Sequence, residues 1–381
     1  MIRKFRTIAS DARLPQEFHD NHPETELSLS FANGSHTRPE KISDHILCRK
    51  IKLKKRHEIE RLFKVIPPLM TLSGVSHIID CGSGQGHLDR LLTIIYGYKI
   101  HSIEMDCDNV ENAQLHDKTA LEYLQRLKMT QLEHSDMPTK VNCFLKSGQH
   151  IDEAIEAIDG QGVVGEHLLL GLHACGPLSN MILEQFADNP KCRALVLACC
   201  CYMKNGKEKF PMSQYLGERM PFVLSREAKE VACHAIEKFL EKFNANELDS
   251  LRVHGYRAIL EHLILKHDPS KKHTGMRSVR IDSSMGFKQY GLKASRNGDT
   301  IWANIPDDGF DSEEIQPMLE ECDRVVLYYS LRMLVAPIVE ALILLDYEHY
   351  LAEQTGVKST YVIPLFEPTL SPRNMILVAH K

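Results

Sequence analysis

The stretch from Ser76 to Asp106, SHIIDCGSGQGHLDRLLTIIYGYKIHSIEMD, constrains this chain more than any other. His77, Ile78 and Ile79 form a short apolar run of the kind a buried parallel strand shows. Asp80 closes the run, and Gly82, Gly84 and Gly86 then alternate with Cys81, Ser83 and Gln85. Leu88, Leu91, Leu92 and Ile95 fall on one helical face, and a second strand, Ile100 to Ile103, ends in Glu104. Strand, glycine turn, helix and strand together predict a nucleotide-binding βαβ half.

Spacing separates the cofactor classes that use such a half. A dinucleotide requires G-x-G-x-x-G, so that its pyrophosphate sits against the helix N-terminus. Here the third glycine arrives one residue early, and an acid precedes the first glycine by two. That arrangement suits a ligand without phosphate. S-adenosylmethionine carries an ammonium and a sulfonium, which Asp80 can attract or orient, and a carboxylate that can use backbone N–H groups of the turn. Glu104 is placed to take both ribose hydroxyls. The expected cofactor-binding residues are Asp80, Gly82, Ser83, Gly84, Gly86, His87, Glu104 and Met105, joined from later in the chain by Gln149 and His173. An unrelated α/β domain with a glycine turn would share part of this pattern.

The 381 residues can hold one large domain or two modest ones. With 46 basic and 51 acidic residues the net charge is −5, so no global basic field points to nucleic acid, and DNA is not an expected partner. Eleven cysteines, three of them adjacent at Cys199, Cys200 and Cys201, make a poor disulfide framework and imply reduced thiols in a cytoplasmic or nuclear setting. No secretory apolar region follows Met1, and Arg3, Lys4 and Arg6 read as a solvated terminus in preference to an organelle presequence. Leu331 to Leu345 contains Arg332 and Glu340 and is too short to span a bilayer; a core helix, and no membrane association, is expected.

Taken in order, residues 1 to 45 form a polar lead-in. Arg49 to Arg56 carries six basic residues in eight and runs into a helical pattern that stops at Pro67-Pro68. A charge run is usually a solvated face. Its place just before the cofactor strand makes Lys55 and Arg56 candidates for contact with an anionic substrate. A helix is expected over Asn109 to Leu127 and a third strand over Val141 to Leu145. The fourth strand, Glu166 to Leu172, runs into His173-Ala174-Cys175-Gly176-Pro177; the fifth, Ala194 to Ala198, runs into Cys199 to Tyr202. Ligands of open parallel sheets lie beyond the carboxyl ends of the strands, so both clusters face the expected site, and His173, Cys175 and Tyr202 are its catalytic candidates.

The interval 203–323 is too long for an α/β connection and predicts an inserted helical and loop subdomain, with helices over Ser225 to Phe243 and Arg252 to Lys266 and a basic loop after Lys271. A long helix from Val325 to Gln354 precedes strands Thr360 to Phe366 and Met375 to Ala379, which the proline-rich turn between them predicts as an antiparallel hairpin. Arg373 and Asn374 in that turn either contact substrate or tie the turn. The expected fold is α/β: a class-I S-adenosylmethionine-dependent methyltransferase (Rossmann-like) sheet built from 46–202 and 324–381, closed by the C-terminal hairpin, with the insertion after its fifth strand.

The blocks Lys54-Lys55-Arg56-His57-Glu58, Asp80 to Leu88, Gly171 to Gly176, Cys200-Cys201-Tyr202, Phe210-Pro211-Met212-Ser213 and Ser371-Pro372-Arg373-Asn374 occur in this order, and with them the chain resembles the methyltransferase-like protein twenty-five family, whose relatives include proteins named for a ribosomal-RNA adenine dimethylase domain. The resemblance covers residues 45 to 381 and implies an S-adenosylmethionine-binding fold and methyltransferase activity. Many methyltransferases carry an acid after the third strand to read the adenine amine; none stands immediately there, so Gln149 or Asp152 would substitute. The histidine and double-cysteine blocks are also similar to a family of transfer-RNA ribose 2′-O-methylases, which raises RNA as a substrate.

Three readings of His173, Cys175 and Cys199 to Cys201 stay open. Imidazole and thiolate are zinc ligands, but the C-x₂-C spacing of common structural sites is missing, and no metal is expected. His173 can serve as a general base. Otherwise the cysteines are small core residues and His173 shapes a loop. No N/D-P-P-Y/F block stands at the fourth strand end, which argues against base N-methylation. The expected activity is methyl transfer to RNA. The alternatives are transfer to protein, or a scaffold of the same fold that binds the cofactor without turnover.

Overall fold

The computed structural model describes residues 51–128, 130, 132–146, 151, 153–154, 156, 165–204, 210–220, 222–234, 236–245, 248–271, 276, 279, 281, 284–295, 305 and 307–381, to which every structural statement refers. The polar lead-in, Gln149, Asp152 and most of the basic loop after Lys271 lie outside these residues.

The chain opens with helices α1 (Leu53–Leu62) and α2 (Ile66–Ser73). There follow β1 (His77–Cys81), α3 (His87–Tyr96), β2 (Lys99–Glu104), α4 (Cys107–Arg126), β3 (Thr139–Asn142), β4 (His167–Ala174), α5 (Pro177–Asp188) and β5 (Cys192–Cys199). Asp106 caps α4 by accepting from the Asp108 and Asn109 N–H groups, which is why that helix starts before Asn109. Two short helices come next, α6 (Gln214–Arg219) and α7 (Arg226–Val231), then α8 (Ile236–Asn244), α9 (Arg252–His267), α10 (Phe287–Ser295) and α11 (Ile315–Glu320). The 31-residue α12 (Cys322–Ala352) leads to β6 (Ser359–Pro364) and β7 (Met375–His380).

The strands form a seven-stranded sheet in the order β3-β2-β1-β4-β5-β7-β6. β1 to β5 run parallel, and β7 pairs antiparallel with both β5 and β6. This mixed α/β sheet fits a class-I methyltransferase. Strand order reverses between β1 and β4, which places a crevice at their carboxyl ends. β4 is an almost unbroken apolar run because both faces of the sheet are covered. Leu168, Leu170 and Val196 pack with α1, α2 and α3 on one face; Leu169, Leu195 and Leu197 pack with α5 and the C-terminal part of α12 on the other.

β4 extends two residues past its expected end and carries a bulge there. Leu172 pairs with Ala198 and Ala174 with Cys199, which leaves His173 as the extra residue, at φ +68°. A bulge residue in the left-handed region redirects its side chain without ending the strand.

Two compact units make up the chain. One comprises Ile236–Ala336, the other the described residues up to Ala235 and from Pro337 onward. The first has its own core of Tyr256, Leu260, Ile264, Tyr290, Phe310 and Ile315. These bounds differ from an insertion at 203–323. Met212 and Ser213 belong with the sheet because the buried carboxylate of Asp346 on α12 accepts from both their N–H groups, at 2.7 and 2.9 Å, and from the Ser213 hydroxyl at 2.7 Å. The helix expected over Ser225 to Phe243 is two helices, and the unit boundary falls between them.

The single core helix expected at Leu331 to Leu345 also needs correction. α12 is long and apolar enough, by length and composition, to cross a membrane. Ile343, Leu344, Tyr347 and Leu351 are buried in the sheet core, whereas Leu327, Tyr328, Leu331, Val335 and Ile338 are exposed.

Asp346→Ala strands three donors at once. Hydrogen bonds to a charged group contribute ~1.5–3 kcal/mol each, so the variant loses about 3 kcal/mol or more in urea unfolding. A loss below half of that would show that water replaces the carboxylate.

Candidate functional site

A cavity of about 520 Å³ opens at the carboxyl ends of β1, β2 and β4. Gly82, Ile103, Glu104 and Met105 line one side, His173, Cys175, Pro177, Leu178 and Met181 another, and Cys143 to Lys146 a third. Its size falls within the usual range for small-ligand sites.

The glycine turn is built as its spacing requires. Gly82 sits at φ +83°, and a Cβ there would come to 3.3 Å of the Leu178 side chain. The Gly82 N–H donates to the Ile103 carbonyl at 2.8 Å, with the Ser83 N–H at 3.3 Å from the same oxygen, so the turn is stitched to the end of β2. Glu104 is fixed between the two elements: its Oε2 accepts from the Gly84 N–H at 2.8 Å and its Oε1 from the Asp106 N–H at 3.0 Å. A carboxylate is thereby held at the cavity wall beside a bare backbone turn. Glu104, Gly82 and Met105 line the cavity; Ser83, Gly84 and Gly86 shape the turn without lining it.

Other candidates are placed differently. Asp80 does not line the cavity; it is 3% exposed. Burial first, then the adjacent Asp89 carboxylate, holds its carboxyl well above the usual range, with Lys55 opposing them. Beyond the turn, His87 stacks on His116 with ring centroids 5.7 Å apart and lies 3.2 Å from Arg90; burial and that guanidinium bring its imidazole down to about 4. Lys55 faces Glu58, Asp80 and Asp89, and burial lowers its pKa in spite of them. Arg56 pairs with Glu60 at 3.1 Å one turn along α1. Lys54, Lys55 and Arg56 thus face the protein's own acids, and neither Lys55 nor Arg56 lines the cavity.

Arg373, Asn374 and Tyr202 are also internal. The Arg373 guanidinium donates to the carbonyls of Ala232 and Cys233 and lies 3.3 Å from Glu340, which ties the β6–β7 turn to the segment after α7. The Asn374 carbonyl accepts from the Leu365 and Phe366 N–H groups. Tyr202, 2% exposed, donates to Glu340 at 3.1 Å. None of the three lines the cavity, and Arg373 takes the turn-tying role of the two open to it.

His173 is brought into a chain that its own block does not reveal. Its Nε2 lies 2.9 Å from Oε1 of Glu58 on α1, and the Ser371 hydroxyl donates to the same oxygen at 2.7 Å. Burial alone would raise the Glu58 carboxyl, but the hydrogen bonds from His173 and Ser371 and the charge of Lys54 carry it below its ordinary value. The Glu58 carboxylate can accept from Nε2, and in that tautomer Nδ1 is the ring nitrogen able to take a proton. Glu58 and Ser371 escape a reading of single motifs. The available signal is that Glu58 lies on the i, i+4, i+8 row with Leu62 and Ile66, an acid on a helix's apolar face.

Next to His173, the sulfurs of Cys175 and Cys200 are 2.7 Å apart, with Cys201 at 3.5 and 3.6 Å from them. Hydrogen bonding from Cys200, over the opposing effect of burial, and then from Cys201 brings the Cys175 thiol down to about 6; burial pushes Cys199, directed into the core, up to about 12. Cys-x₂-Cys spacing is absent, yet three sulfurs meet, because adjacent strand ends lie only ~5 Å apart.

Comparison with known proteins agrees with this geometry. Residues 54–207 match a family described as a methyltransferase domain. The chain is 26% identical over 317 residues to probable methyltransferase-like protein 25 of Mus musculus, covering 77% of this chain and 49% of the relative. It is 27% identical over 282 residues to probable methyltransferase-like protein 25 of Homo sapiens, covering 68% of this chain and 43% of the relative. The chain thus spans about half the length of the curated relatives it matches. No solved structure matches it.

Proposed function

We propose that this relative of methyltransferase-like protein 25, with its methyltransferase domain at residues 54–207, transfers a methyl group from S-adenosylmethionine to RNA. The observation that carries the reading is Glu104, whose carboxyl group is pinned at the wall of a cavity beside the Gly82–Gly86 turn. A carboxylate there can accept from two ribose hydroxyls, and each oxygen keeps a lone pair for them. When bound, S-adenosylmethionine supplies a methyl group already activated on a sulfonium.

What remains for the chain is placement and one proton. Leu178 and Met181 give the cavity apolar walls. His173 lines the same cavity, and Glu58 holds its ring in one tautomer. A hydroxyl must lose its proton to become a competent nucleophile, and a carboxylate-oriented imidazole is suited to take it. A ribose hydroxyl is the acceptor this pair fits best, which agrees with the resemblance of the His173 block to ribose methylases. The ten described cysteines, none in a disulfide, accord with a reducing cytoplasmic or nuclear compartment.

The test is transfer of labelled methyl from S-adenosylmethionine into an extract of cells lacking the protein, divided afterwards between ribonuclease and protease. Label lost to ribonuclease is the expected result. Label lost to protease would replace RNA by a protein acceptor. No label in either half, with cofactor binding confirmed by calorimetry, would leave a cofactor-binding scaffold.

A further inference from the structure

We infer that Cys175, Cys200 and Cys201 form a binding site for a thiophilic divalent cation, zinc, at the wall of the cofactor cavity. The argument starts from where the three sulfurs come from. β4 and β5 are neighbouring parallel strands. Past their carboxyl ends, the turn 174–177 supplies one cysteine and the segment 200–204 supplies two. The two segments are pressed together at Gly176, where a Cβ would come to 2.8 Å of the Lys204 Cβ.

Each sulfur lies within 3.6 Å of the other two. Tetrahedral angles at the ~2.3 Å zinc–thiolate distance set sulfurs ~3.7 Å apart, so Cys201 already stands at ligand spacing from the other two, and the Cys175–Cys200 pair, at 2.7 Å, opens by about 1 Å to share an ion. A disulfide would satisfy two of the sulfurs and leave the third beside them; one cation satisfies all three. The geometry admits it: a circle through three atoms at these separations has a radius of about 1.9 Å, so an ion at the ~2.3 Å zinc–thiolate distance rests just above their plane. Among the described residues no fourth histidine, cysteine or carboxylate joins this group. Three protein ligands with a fourth place left to water or an incoming ligand is the coordination of a catalytic zinc. Cys175 also lines the cavity, so the ion would stand at its wall.

Sequence spacing hides such a site because the ligands are gathered by strand adjacency and not by a short local loop. Cys199, which continues β5, takes no part; it is buried in the core. The assignment is independent of the methyl acceptor and survives if the acceptor proves not to be RNA.

The experiment is elemental analysis of the full chain purified without added metal, with Cys175→Ser, Cys201→Ser and, as a control outside the cluster, Cys233→Ser. The expected result is one zinc per chain in the parent and in Cys233→Ser, and at least a tenfold loss in the other two. Titration of the metal-stripped, reduced parent with cobalt(II) provides a readout that needs no variant: sulfur-to-metal charge-transfer absorption of the strength three thiolates give. Zinc retained in Cys175→Ser, or a parent with neither zinc nor that absorption, would overturn the site. So would a Cys175–Cys200 disulfide found by peptide mapping of protein kept under anaerobic conditions.

Discussion

Replacing Glu104 by alanine lowers affinity for S-adenosylmethionine by about 100-fold or more. Two hydrogen bonds from ribose hydroxyls to a carboxylate contribute ~1.5–3 kcal/mol each, and every ~1.4 kcal/mol is tenfold in affinity. The substitution has a second effect in the free protein. Glu104 holds the Gly84 N–H at 2.8 Å and the Asp106 N–H at 3.0 Å, so alanine also loosens the glycine turn at Gly84, though Gly82 stays bonded to Ile103, and removes part of the preorganisation. Glu104→Gln retains an acceptor of the same shape without its charge and falls between the two. The side chain is half-buried, and thermal unfolding should move little while binding collapses. Isothermal calorimetry decides it: an affinity within threefold of the parent for Glu104→Ala would remove the cofactor from this cavity. Gly84 is the less informative position to change, since at φ +58° any side chain strains the turn itself and a loss of binding would not separate the cofactor contact from the backbone.

What the sequence disclosed follows from how local each signal is. The βαβ half was legible because strand, turn and helix are consecutive, and the period of Leu88, Leu91 and Leu92 fixes the buried face of α3 without reference to the rest of the chain. Positions at strand ends were legible in part. Glu104 and His173 both reach the cavity, because in a parallel sheet residues that terminate strands share one edge. Charge was the misleading signal. Lys55 and Arg56 looked available to an anionic substrate and Arg373 to a substrate; Arg56 has its acid one helical turn on, whereas Lys55 faces Asp80 and Asp89 as well as Glu58, and Arg373 meets carbonyls from 232 and 233, partners a linear reading cannot place. Asp80 is set back from the cavity lining, and its ionisation depends on burial and on Asp89, nine positions later, which a linear reading does not place either. The third wall of the cavity was missed because Cys143 to Leu145 continue an apolar run, while the strand itself ends at Asn142.

The Glu58–His173 pair carries the second large effect. His173→Ala should lower the single-turnover rate of methyl transfer by ~100- to 10,000-fold, the range a positioned general base provides, while S-adenosylmethionine affinity changes little. Glu58→Gln separates orientation from presence. The amide fills the same volume and can still meet Ser371. It no longer gives Nε2 of His173 an anion to donate to, so the ring's tautomer is released. A rate loss of about tenfold or more with unchanged cofactor affinity identifies Glu58 as a positioning residue. Folding is the competing explanation, since Glu58 is 1% exposed and joins α1 to the β6–β7 turn through Ser371. Two controls distinguish it. Ser371→Ala removes that tie and leaves the His173 contact, so a stability role predicts parallel losses in Ser371→Ala and Glu58→Gln, whereas a positioning role predicts a rate loss concentrated in Glu58→Gln. Imidazole added to His173→Ala would restore part of the rate only if the missing group had moved a proton. The bulge at His173 gives the reason to expect rescue. Backbone at φ +68° costs energy for a residue with a side chain, and here it directs that side chain to Glu58 and the cavity wall instead of the core. A purely structural histidine would gain nothing from that geometry, and His173→Ala with an unchanged turnover rate would show that it is one.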